Sequence, residues 1–412
     1  MRVAVITAGT LPVPAVRGGA VERLLENLVR ANERYHQMDL TVISVYDPEA
    51  FAQAASYQHT HFFFVRENRF VATLDRLIYR LSSRFEHSRG VASYRHLFRR
   101  LLLLRYATRM LSENNFDKVV LENSATLFRI LKARKNNLKY AGRYYFHIHN
   151  AVTGSYGCTT IMQKTKILAV SEYIMHSLPE FMKIIPNTDR HVVLNGIDIG
   201  HFHYQFIHEE KFALQRKLQL NAEDLVLLYV GRITPEKGIK ELLLAFSQIK
   251  IPNIKLLIVG SSFFDSDIHS PFEKELRQLA DTVRDRVRFT GYIPYSKLTK
   301  YYALADVAVL PSTWHEPAGL TMVEAQASGL PLITTDAGGI PEYIVRAGAM
   351  VLDSTNDLVS QLIDAISILV TNHDKRAMMS GYAEQVNKRF SLKNYYDQFL
   401  QQITDGGDVS GV

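Results

Sequence analysis

The chain has 412 residues, which at roughly 150 residues per domain predicts two or three domains. Glycine and proline together make up less than a tenth of it, which excludes a collagen-like or low-complexity protein. The single cysteine, Cys158, excludes an intramolecular disulfide framework and is typical of the reducing cytosol. No apolar run approaches the roughly 18–20 residues that span a bilayer, so we expect a cytoplasmic protein. Its first apolar stretch, VAVITAG, is short and predicts a β-strand, not a signal peptide.

The excess of positive charge is concentrated in one region. The formal net charge is +7. Residues 66–109 alone contain eleven arginines, no lysine and three acidic residues, a local charge of +8. The rest of the chain is therefore close to neutral. Such a basic region is typical of contact with nucleic acid, an anionic membrane surface or an anionic substrate.

Short apolar runs alternate with amphipathic stretches along the first half. The run RVAVITA predicts a first strand, and the stretch after the loop at Gly18 and Gly19 has leucines at helical spacing. Further strands are predicted by these runs: DLTVISVY, DKVVLE (117–122), RYYFHIH (143–149), KILAVS (166–171) and HVVLNG (191–196).

The second half has the same organisation. Strands are predicted at 225–231, 254–260, 285–291, 306–311 and 331–335. Helices are predicted near 239–249, 271–284, 295–304, 319–328 and 355–370. This alternation predicts an α/β protein with parallel sheets covered on both faces.

Two such halves indicate two Rossmann-like, doubly wound domains facing each other across a cleft. We place the first domain at residues 1–203 and the second at 204–390. Residues 391–412 are a C-terminal helix and a frayed tail, and the helix is a candidate to return to the first domain.

Three loops of the second half contain residues suited to a phosphate ester. In VGRITPEKGI, Arg232 and Lys237 follow a strand, where they can grip a diphosphate or remain ordinary surface cations. In PSTWHEPAGLTMVEAQASG, Glu316 precedes a helix beginning near Gly319, whose free N–H groups suit an anion, and Glu324 lies on the second turn of that helix. A carboxylate accepts hydrogen bonds from neighbouring hydroxyls, although two glutamates on a helix surface have the same spacing.

The third loop, DAGGIPEYI, has paired glycines that allow backbone to approach a ligand closely. Gly18 and Gly19 stand directly before a helix in the first half in the same way. Two Gly-rich helix entries, one in each domain, are thus candidates to face one anion.

These residues resemble the retaining glycosyltransferases of the GT-B fold, in particular their large group 4 family (glycosyl transferases group 1). The match covers nearly the whole chain in order, with specific motifs in the C-terminal half and looser ones before it. The motifs are GGAVERLLENL (18–28), VSE (170–172), NGID (195–198), GRITPEKG, and EPAGLTMVEAQASGLPLITTDAGGIPE with its Glu–x7–Glu pair.

The resemblance implies a role for each matching residue. Arg232 and Lys237 would hold the diphosphate of a nucleotide-sugar, Glu316 the hydroxyls of the transferred sugar, and Glu324 the ribose. The remaining donor-binding positions are the backbone N–H groups of Gly319, Leu320 and Thr321, the loop at Tyr292 and Ile293 beside the base, and the Gly18–Gly19 loop. Ala318 stands where relatives often have a larger or polar residue, which predicts a reshaped sugar pocket.

Family members also place a histidine near the transferred sugar at the end of a strand in the first domain. The run FHIHNAV offers His147 and His149, which a strand directs to the same face. We favour His149 because it lies nearer the carboxyl end. A hydrogen-bonded structural histidine is the alternative. The catalytic candidates are therefore His149, Glu316, Arg232 and Lys237.

No metal or other cofactor is expected. Asp265 and Asp267 form an Asp-x-Asp pattern, but GT-B enzymes use cations and helix dipoles in place of a metal, so we interpret the pattern as a solvated loop. His147 with His149, and His201 with His203, are not accompanied by a Cys/His cluster of zinc-ligand spacing.

The basic region contains two apolar stripes at helical spacing. They are Leu74, Leu77, Ile78 and Leu81, then Tyr94, Leu97, Phe98, Leu101 and Leu104. Either these stripes pack against their own domain, or residues 66–109 form an interfacial surface on an anionic membrane. Nucleic-acid binding is not favoured, since no nucleic-acid module is recognisable.

We therefore predict a metal-independent retaining hexosyltransferase. Its donor is a nucleotide-sugar, with UDP-sugars favoured, and its acceptor is a glycan or lipid-linked glycan of the cell envelope or of exopolysaccharide. We expect it in the cytoplasm, in peripheral contact with the inner membrane face. The alternatives are a non-catalytic membrane- or polymer-binding subunit and a sugar-nucleotide epimerase of the same fold.

Overall fold

The computed structural model describes residues 1–67, 71–78, 96–261 and 270–404. The chain forms two compact units. The first comprises Met1–Gly196 together with the C-terminal segment from Leu392, and the second is Ile197–Ser391. Each unit is an α/β structure built on its own parallel sheet.

The first unit contains a seven-stranded sheet in the order β3-β2-β1-β4-β5-β6-β7, and all its pairings are parallel. Its central strands are buried on both faces, as a parallel sheet covered by helices requires. The strands are β1 (Arg2–Ile6), β2 (Asp39–Val45), β3 (Thr60–Val65), β4 (Lys118–Glu122), β5 (Tyr144–Ile148), β6 (Lys166–Ala169) and β7 (Arg190–Val192).

Helices cover this sheet because each presents an apolar face to it. Ala20–Tyr35 buries Leu24, Leu25 and Leu28, and Leu392–Thr404 packs beside it, where the Tyr396 hydroxyl donates to Asn32 Oδ1 at 2.7 Å. The other α-helices are Pro48–Ala54, 71–78, Leu97–Glu113, Phe128–Lys132, Asn136–Lys139, Thr159–Met162 and Glu172–His176.

The second unit contains a six-stranded parallel sheet in the order β10-β9-β8-β11-β12-β13. Its strands are β8 (Leu225–Val230), β9 (Ile254–Val259), β10 (Val287–Gly291), β11 (Val307–Leu310), β12 (Leu332–Thr335) and β13 (Ala349–Leu352). Its α-helices are Ile199–Phe202, His208–Leu218, Ile239–Gln248, Pro271–Ala280, Tyr295–Leu304, Leu320–Ala327, Leu358–Thr371, His373–Ser380 and Ala383–Phe390.

Both sheets reverse their strand order at one place, between β1 and β4 in the first and between β8 and β11 in the second. The loops that leave these strands at their carboxyl ends diverge to opposite faces of the sheet. They form a crevice, which is where open α/β sheets bind ligands. The loops with Gly18–Gly19, Arg232–Lys237 and Glu316 all leave strands of these two pairs.

The expected domain boundary after residue 203 needs correction, because the second unit begins at Ile197. The helix Ile199–Phe202 packs within that unit, and the Phe202 ring meets the rings of Tyr295 and Tyr302. The C-terminal helix begins at Leu392 and is grouped with the first unit. In the part of the chain that the structure describes, no helix combines the length and the apolar character that a membrane crossing needs.

Candidate active site

Backbone contacts hold together the two loops at the crevice of the second sheet. The carbonyl oxygen of Glu236, in the loop after β8, accepts N–H bonds from Thr313 at 3.0 Å and Trp314 at 2.9 Å, in the loop after β11. Gly238 lies so close that a Cβ there would stand 1.8 Å from the carbonyl oxygen of Pro311, and its φ is +68°. The two loops therefore fit together only with glycine at this position.

This contact brings Lys237 and Glu316 into an ion pair, in which Lys237 Nζ donates to Glu316 Oε1. The Ser312 hydroxyl donates to the same carboxylate oxygen at 3.0 Å. The side chains of Lys237 and Glu316 are only 20 % and 14 % exposed. A charged pair is thus held ready, partly shielded from water, at the place where the sequence predicted a diphosphate and a sugar.

The paired glycines of the third loop fix the backbone of Glu316. Gly339 N donates to Glu316 O at 2.7 Å, and Gly338 forms a parallel bridge with Glu316. A Cβ at Gly338 would stand 2.6 Å from Glu316 O, and the φ of Gly338 is +63°. The glycines therefore serve close packing between two loops of the same unit.

Glu324 lies on the helix Leu320–Ala327 and is buried. Its Oε2 accepts a hydrogen bond at 2.9 Å from the hydroxyl of Tyr302. Burial, followed by the nearby charge of Glu324, raises the pKa of Tyr302 well above its usual value of 10. Tyr302 therefore remains a proton donor to the carboxylate at any physiological pH.

Arg232 differs from Lys237 in having an exposed side chain. Its side chain is 69 % exposed and stands 3.8 Å from the Glu236 carboxylate, while its carbonyl oxygen is fixed by the Tyr229 hydroxyl at 2.9 Å. An exposed pair of this length contributes little, so Arg232 can exchange it for a phosphate.

A cavity of about 300 Å³ joins most of these groups. Among the predicted donor residues it is lined by Arg232, Lys237, Glu316 and Thr321. Gly319 directly precedes the helix Leu320–Ala327, whose first N–H groups lack intrahelical partners. Tyr292 and Ile293 follow β10 at the edge of the sheet and do not line this cavity.

In the first unit, the predicted histidines share one carboxylate. His147 Nδ1 lies 3.1 Å from Glu122 Oε1, and His149 Nε2 lies 3.0 Å from Glu122 Oε2. The two rings are 4.2 Å apart, and all three residues are buried. Glu122 was not predicted from the sequence as a member of this cluster. An acidic residue at the end of a buried strand beside β5 is a signal that could have indicated it.

The electrostatics of this cluster favour a charged glutamate. Burial raises the pKa of Glu122, but His147 and His149 lower it by more, from 4.5 to about 2. Burial lowers the pKa of His149, and the neighbouring His147 lowers it further. The Glu122 carboxylate accepts a hydrogen bond from Nε2 of His149. Nδ1 of the same ring has no hydrogen-bond partner in the described structure, so it is available to a ligand.

The same three residues are the one group of metal-ligand type found among the described residues, with candidate ligand atoms within 4.8 Å of one another. Only the two histidines could be named from the sequence as possible metal ligands, because Glu122 comes from the neighbouring strand. The nitrogen-to-oxygen separations near 3 Å are hydrogen-bond lengths. A shared proton therefore satisfies each contact. Asp265 and Asp267 lie outside the described residues.

The Gly18–Gly19 loop begins the helix Ala20–Tyr35 with φ angles of +76° and +95°. A Cβ at Gly19 would stand 2.1 Å from Glu22 Oε2. Burial raises the pKa of Glu22. The φ of +95° favours glycine at position 19, because L side chains rarely adopt that conformation.

The basic region is only partly described, because residues 68–70 and 79–95 lie outside the described ranges. Within it, Arg99 donates to Thr10 O and Arg100 to the hydroxyls of Ser124 and Thr126, at 3.1 and 2.9 Å. Both arginines therefore make hydrogen bonds within the first unit. On the helix Leu97–Glu113 the buried face is Leu103, Ala107, Thr108 and Leu111, not the stripe marked by Leu97, Leu101 and Leu104.

Residues 210–386 match the family model described as "Glycosyl transferases group 1". The second unit is a glycosyl transferases group 1 domain. The resemblance that its motifs carry is confirmed, and with it the α/β architecture of two Rossmann-like units.

Two relatives match along most of the chain. Spore coat protein SA of Bacillus subtilis is 25 % identical over 398 residues, covering 93 % of this chain and 94 % of that protein. The lipopolysaccharide 1,2-N-acetylglucosaminetransferase of Salmonella typhimurium is 28 % identical over 330 residues, 74 % of this chain and 82 % of that enzyme.

Among solved structures, Anabaena HepE in complex with UDP-glucose superposes with a TM-score of 0.69 at 18 % identity, covering 98 % of this chain and 100 % of that one. The lipopolysaccharide glycosyltransferase WaaG gives 0.63 at 16 % identity, with 98 % and 99 % covered. The fold is that of the GT-B glycosyltransferases.

Proposed function

We propose that the protein is a retaining glycosyltransferase that moves a hexose-type sugar from a UDP-sugar to a glycan or lipid-linked acceptor. One observation carries the proposal: Lys237, Glu316 and Ser312 meet in a cavity at the crevice of the group 1 domain, beside a helix N-terminus and the exposed Arg232. Cations, a helix N-terminus and a carboxylate are what a sugar diphosphate needs.

On this proposal the Lys237–Glu316 pair opens when the donor enters. Lys237 moves to the diphosphate together with Arg232, and the freed carboxylate of Glu316 accepts hydrogen bonds from sugar hydroxyls. Glu324, oriented by Tyr302, accepts from the ribose. The exchange keeps every charge partnered, so no buried charge is stranded at any stage.

The chemical step needs no redox partner. The acceptor hydroxyl approaches the anomeric carbon from the face that the diphosphate leaves, the bond from that carbon to the phosphate oxygen breaks, and the new bond to the acceptor oxygen forms. The acceptor proton passes to the leaving phosphate oxygen. Arg232, Lys237 and the helix beginning after Gly319 stabilise the negative charge that develops there.

We propose His149 as a catalytic residue of the transfer, with Glu122 as its positioning residue. Because Glu122 binds Nε2, the ring offers Nδ1 as its free nitrogen, at the carboxyl edge of β5. A carboxylate behind a histidine fixes the orientation and tautomer of the ring.

Similarity supports the choice of donor and acceptor. The HepE structures contain UDP, glucose or UDP-glucose, and the Salmonella relative acts in lipopolysaccharide. We extend these classes to this chain: a UDP-sugar donor, and an acceptor of the cell envelope or of exopolysaccharide.

We also propose a cytoplasmic location with peripheral contact to the inner membrane face through the Arg-rich region 66–109. Its supports are the local charge of +8 and the exposed Arg76, Arg105 and Arg109. Arginine near an anionic lipid surface contributes about 1 kcal/mol per residue.

The test is a panel of nucleotide-sugars incubated with the full chain in the presence of EDTA, with released nucleotide measured. We expect release of UDP from a UDP-sugar, undiminished by the chelator. Retention of configuration is read from the product by NMR. Conversion of the donor to its epimer, or activity that EDTA abolishes and Mn²⁺ restores, would contradict the proposal.

A further inference from the structure

A second cavity, of about 400 Å³, lies in the first unit. It opens at the carboxyl edge of the sheet, between the loops after β4 and β5 and the helix Leu97–Glu113. Asn123 joins its walls, since its Oδ1 accepts the backbone N–H of His149 at 3.0 Å and of Asn150 at 3.1 Å. The cavity therefore begins one residue beyond the Glu122–His149 cluster on both strands.

The polar end of this cavity is cationic. Arg100 lies half-buried in its wall, and Arg129 lies exposed at its rim. The Arg100 guanidinium donates hydrogen bonds to the hydroxyls of Ser124 and Thr126. Among the described residues no carboxylate pairs with it. Of the residues that the structure describes, no aspartate or glutamate lines the cavity. Burial lowers the pKa of Arg100, the mark of a cation that lacks a counter-ion.

The cavity also has an apolar lining. It includes Leu97, Leu101 and Leu104, which lie on the same face of the helix as Arg100, together with the buried Phe146 from β5. This leucine stripe spans about two helical turns, or roughly 10 Å. Because the helix packs on the sheet through a different face, this stripe is left to contact a ligand.

We propose that this cavity binds a phosphate group that carries an apolar chain, and that the acceptor of the reaction is such a phosphorylated amphiphile. The phosphate pairs with Arg100 and Arg129, and the first carbons of the chain lie along Leu97, Leu101 and Leu104. An ionised partner satisfies the half-buried guanidinium through charge-assisted hydrogen bonds. The acceptor role rests on the proposed transferase function, whereas the binding itself does not.

The test is isothermal titration of the full chain, without donor, by three probes: hexyl phosphate, glucose 6-phosphate and hexyl glucoside. We expect hexyl phosphate to bind at least about tenfold more tightly than either of the others, since only it supplies both charge and apolar chain. If glucose 6-phosphate binds as tightly as hexyl phosphate, the leucine stripe does not contribute to binding. If hexyl glucoside binds as tightly as hexyl phosphate, the arginines do not.

Variants assign the binding to this cavity. Arg100→Gln should weaken hexyl phosphate by roughly tenfold or more, and Arg100→Lys should retain most of the affinity. Arg105→Gln, an exposed site on the same helix, is the matched control and should change nothing. Wild-type affinity in Arg100→Gln would overturn the proposal.

Two exposed positions protect the test against misfolding of the Arg100 variant. Arg129→Gln should weaken hexyl phosphate and glucose 6-phosphate alike, whereas Leu101→Ser should weaken hexyl phosphate alone. Unchanged hexyl phosphate binding in both variants would overturn the proposal. UDP release from UDP-sugars by these variants, measured separately, shows whether the transferase function stands independently of this pocket.

Discussion

Lys237 and Glu316 stand 79 positions apart in the chain, and their side chains meet in one ion pair. The pair exists because Glu236 O receives two N–H bonds from the loop after β11 and because Gly238 lets that loop approach. In this structure each charge neutralises the other. We infer that the donor replaces this pairing with two new ones, so that binding needs little reorganisation of the loops.

The Tyr302–Glu324 contact predicts a variant that affects donor binding more than chemistry. Tyr302→Phe removes the hydroxyl that orients the buried carboxylate, so we expect a higher KM for the donor, by roughly three- to tenfold, with little change in kcat. Tyr301→Phe, at the neighbouring buried position, is the matched control. A fall in kcat at unchanged KM in Tyr302→Phe would show that Glu324 does not act through ground-state binding.

The two histidines should differ in function although they share Glu122. His149 lies just beyond the end of β5, whereas His147 is within the strand and 1 % exposed. We expect His149→Ala to lower kcat much more than His147→Ala, while both variants lose stability. The measurement is the transfer rate of each variant, normalised to the fraction of the protein that is folded. The reverse order would assign the role at the sugar to His147.

Glu122 should contribute to the acid sensitivity of the first unit. Its pKa is about 2 in the folded chain, lowered from 4.5. Below 4.5 the unfolded chain therefore binds a proton that the folded chain does not, and the free energy of unfolding falls as the pH falls toward 2.

Urea unfolding at pH 6, 5, 4 and 3, followed by circular dichroism, measures this. Glu122→Gln should lose less unfolding free energy over that range than the wild type. The exposed Glu67→Gln should follow the wild type. Parallel curves for Glu122→Gln and the wild type would mean that Glu122 is not ionised in the folded chain.

The Arg-rich region 66–109 predicts salt-sensitive membrane binding. The protein should sediment with anionic liposomes at low salt, remain unbound to neutral ones, and be released by high salt, because charges near a surface are screened over roughly 8–10 Å. Replacing Arg76, Arg105 and Arg109 by serine should weaken the binding without changing UDP release.

The variant avoids Arg99 and Arg100, whose side chains hold the first unit together. Lys250, Lys274 and Lys297 replaced by serine give a charge-matched control in the second unit. If binding does not depend on lipid charge and salt, or falls equally in the control variant, region 66–109 does not bind the membrane through its arginines.

The sequence predicted the central strands well, because buried parallel strands are nearly continuous runs of apolar, often β-branched residues. It missed β3 and β13, both at sheet edges. An edge position alone does not explain this, because β7 and β10 lie at the other edges and were predicted. The sequence also left the segment after residue 203 without structure, whereas His208–Leu218 is helical.

The site could be predicted wherever a functional residue lies in a recognisable loop, as do Lys237 and Glu316. Their partners could not. Tyr302 and Glu122 act across 22 and 27 positions from neighbouring elements, and nothing in their local sequence marks the contact. The stripe at Leu97, Leu101 and Leu104 was recognised as apolar, but periodicity does not say whether a stripe meets the sheet, a membrane or a cavity.

We propose that Lys237 stabilises the diphosphate as the bond between the anomeric carbon and the phosphate oxygen of the donor breaks. This proposal is tested most directly by the rate of UDP release from the preferred UDP-sugar by wild type and by Lys237→Ala, with the exposed Lys240→Ala as control. The account predicts that Lys237→Ala loses roughly 2–4 kcal/mol of transition-state stabilisation, the scale of one preorganised donor, while Lys240→Ala turns over at the wild-type rate. Equal rates for Lys237→Ala and the wild type would contradict it.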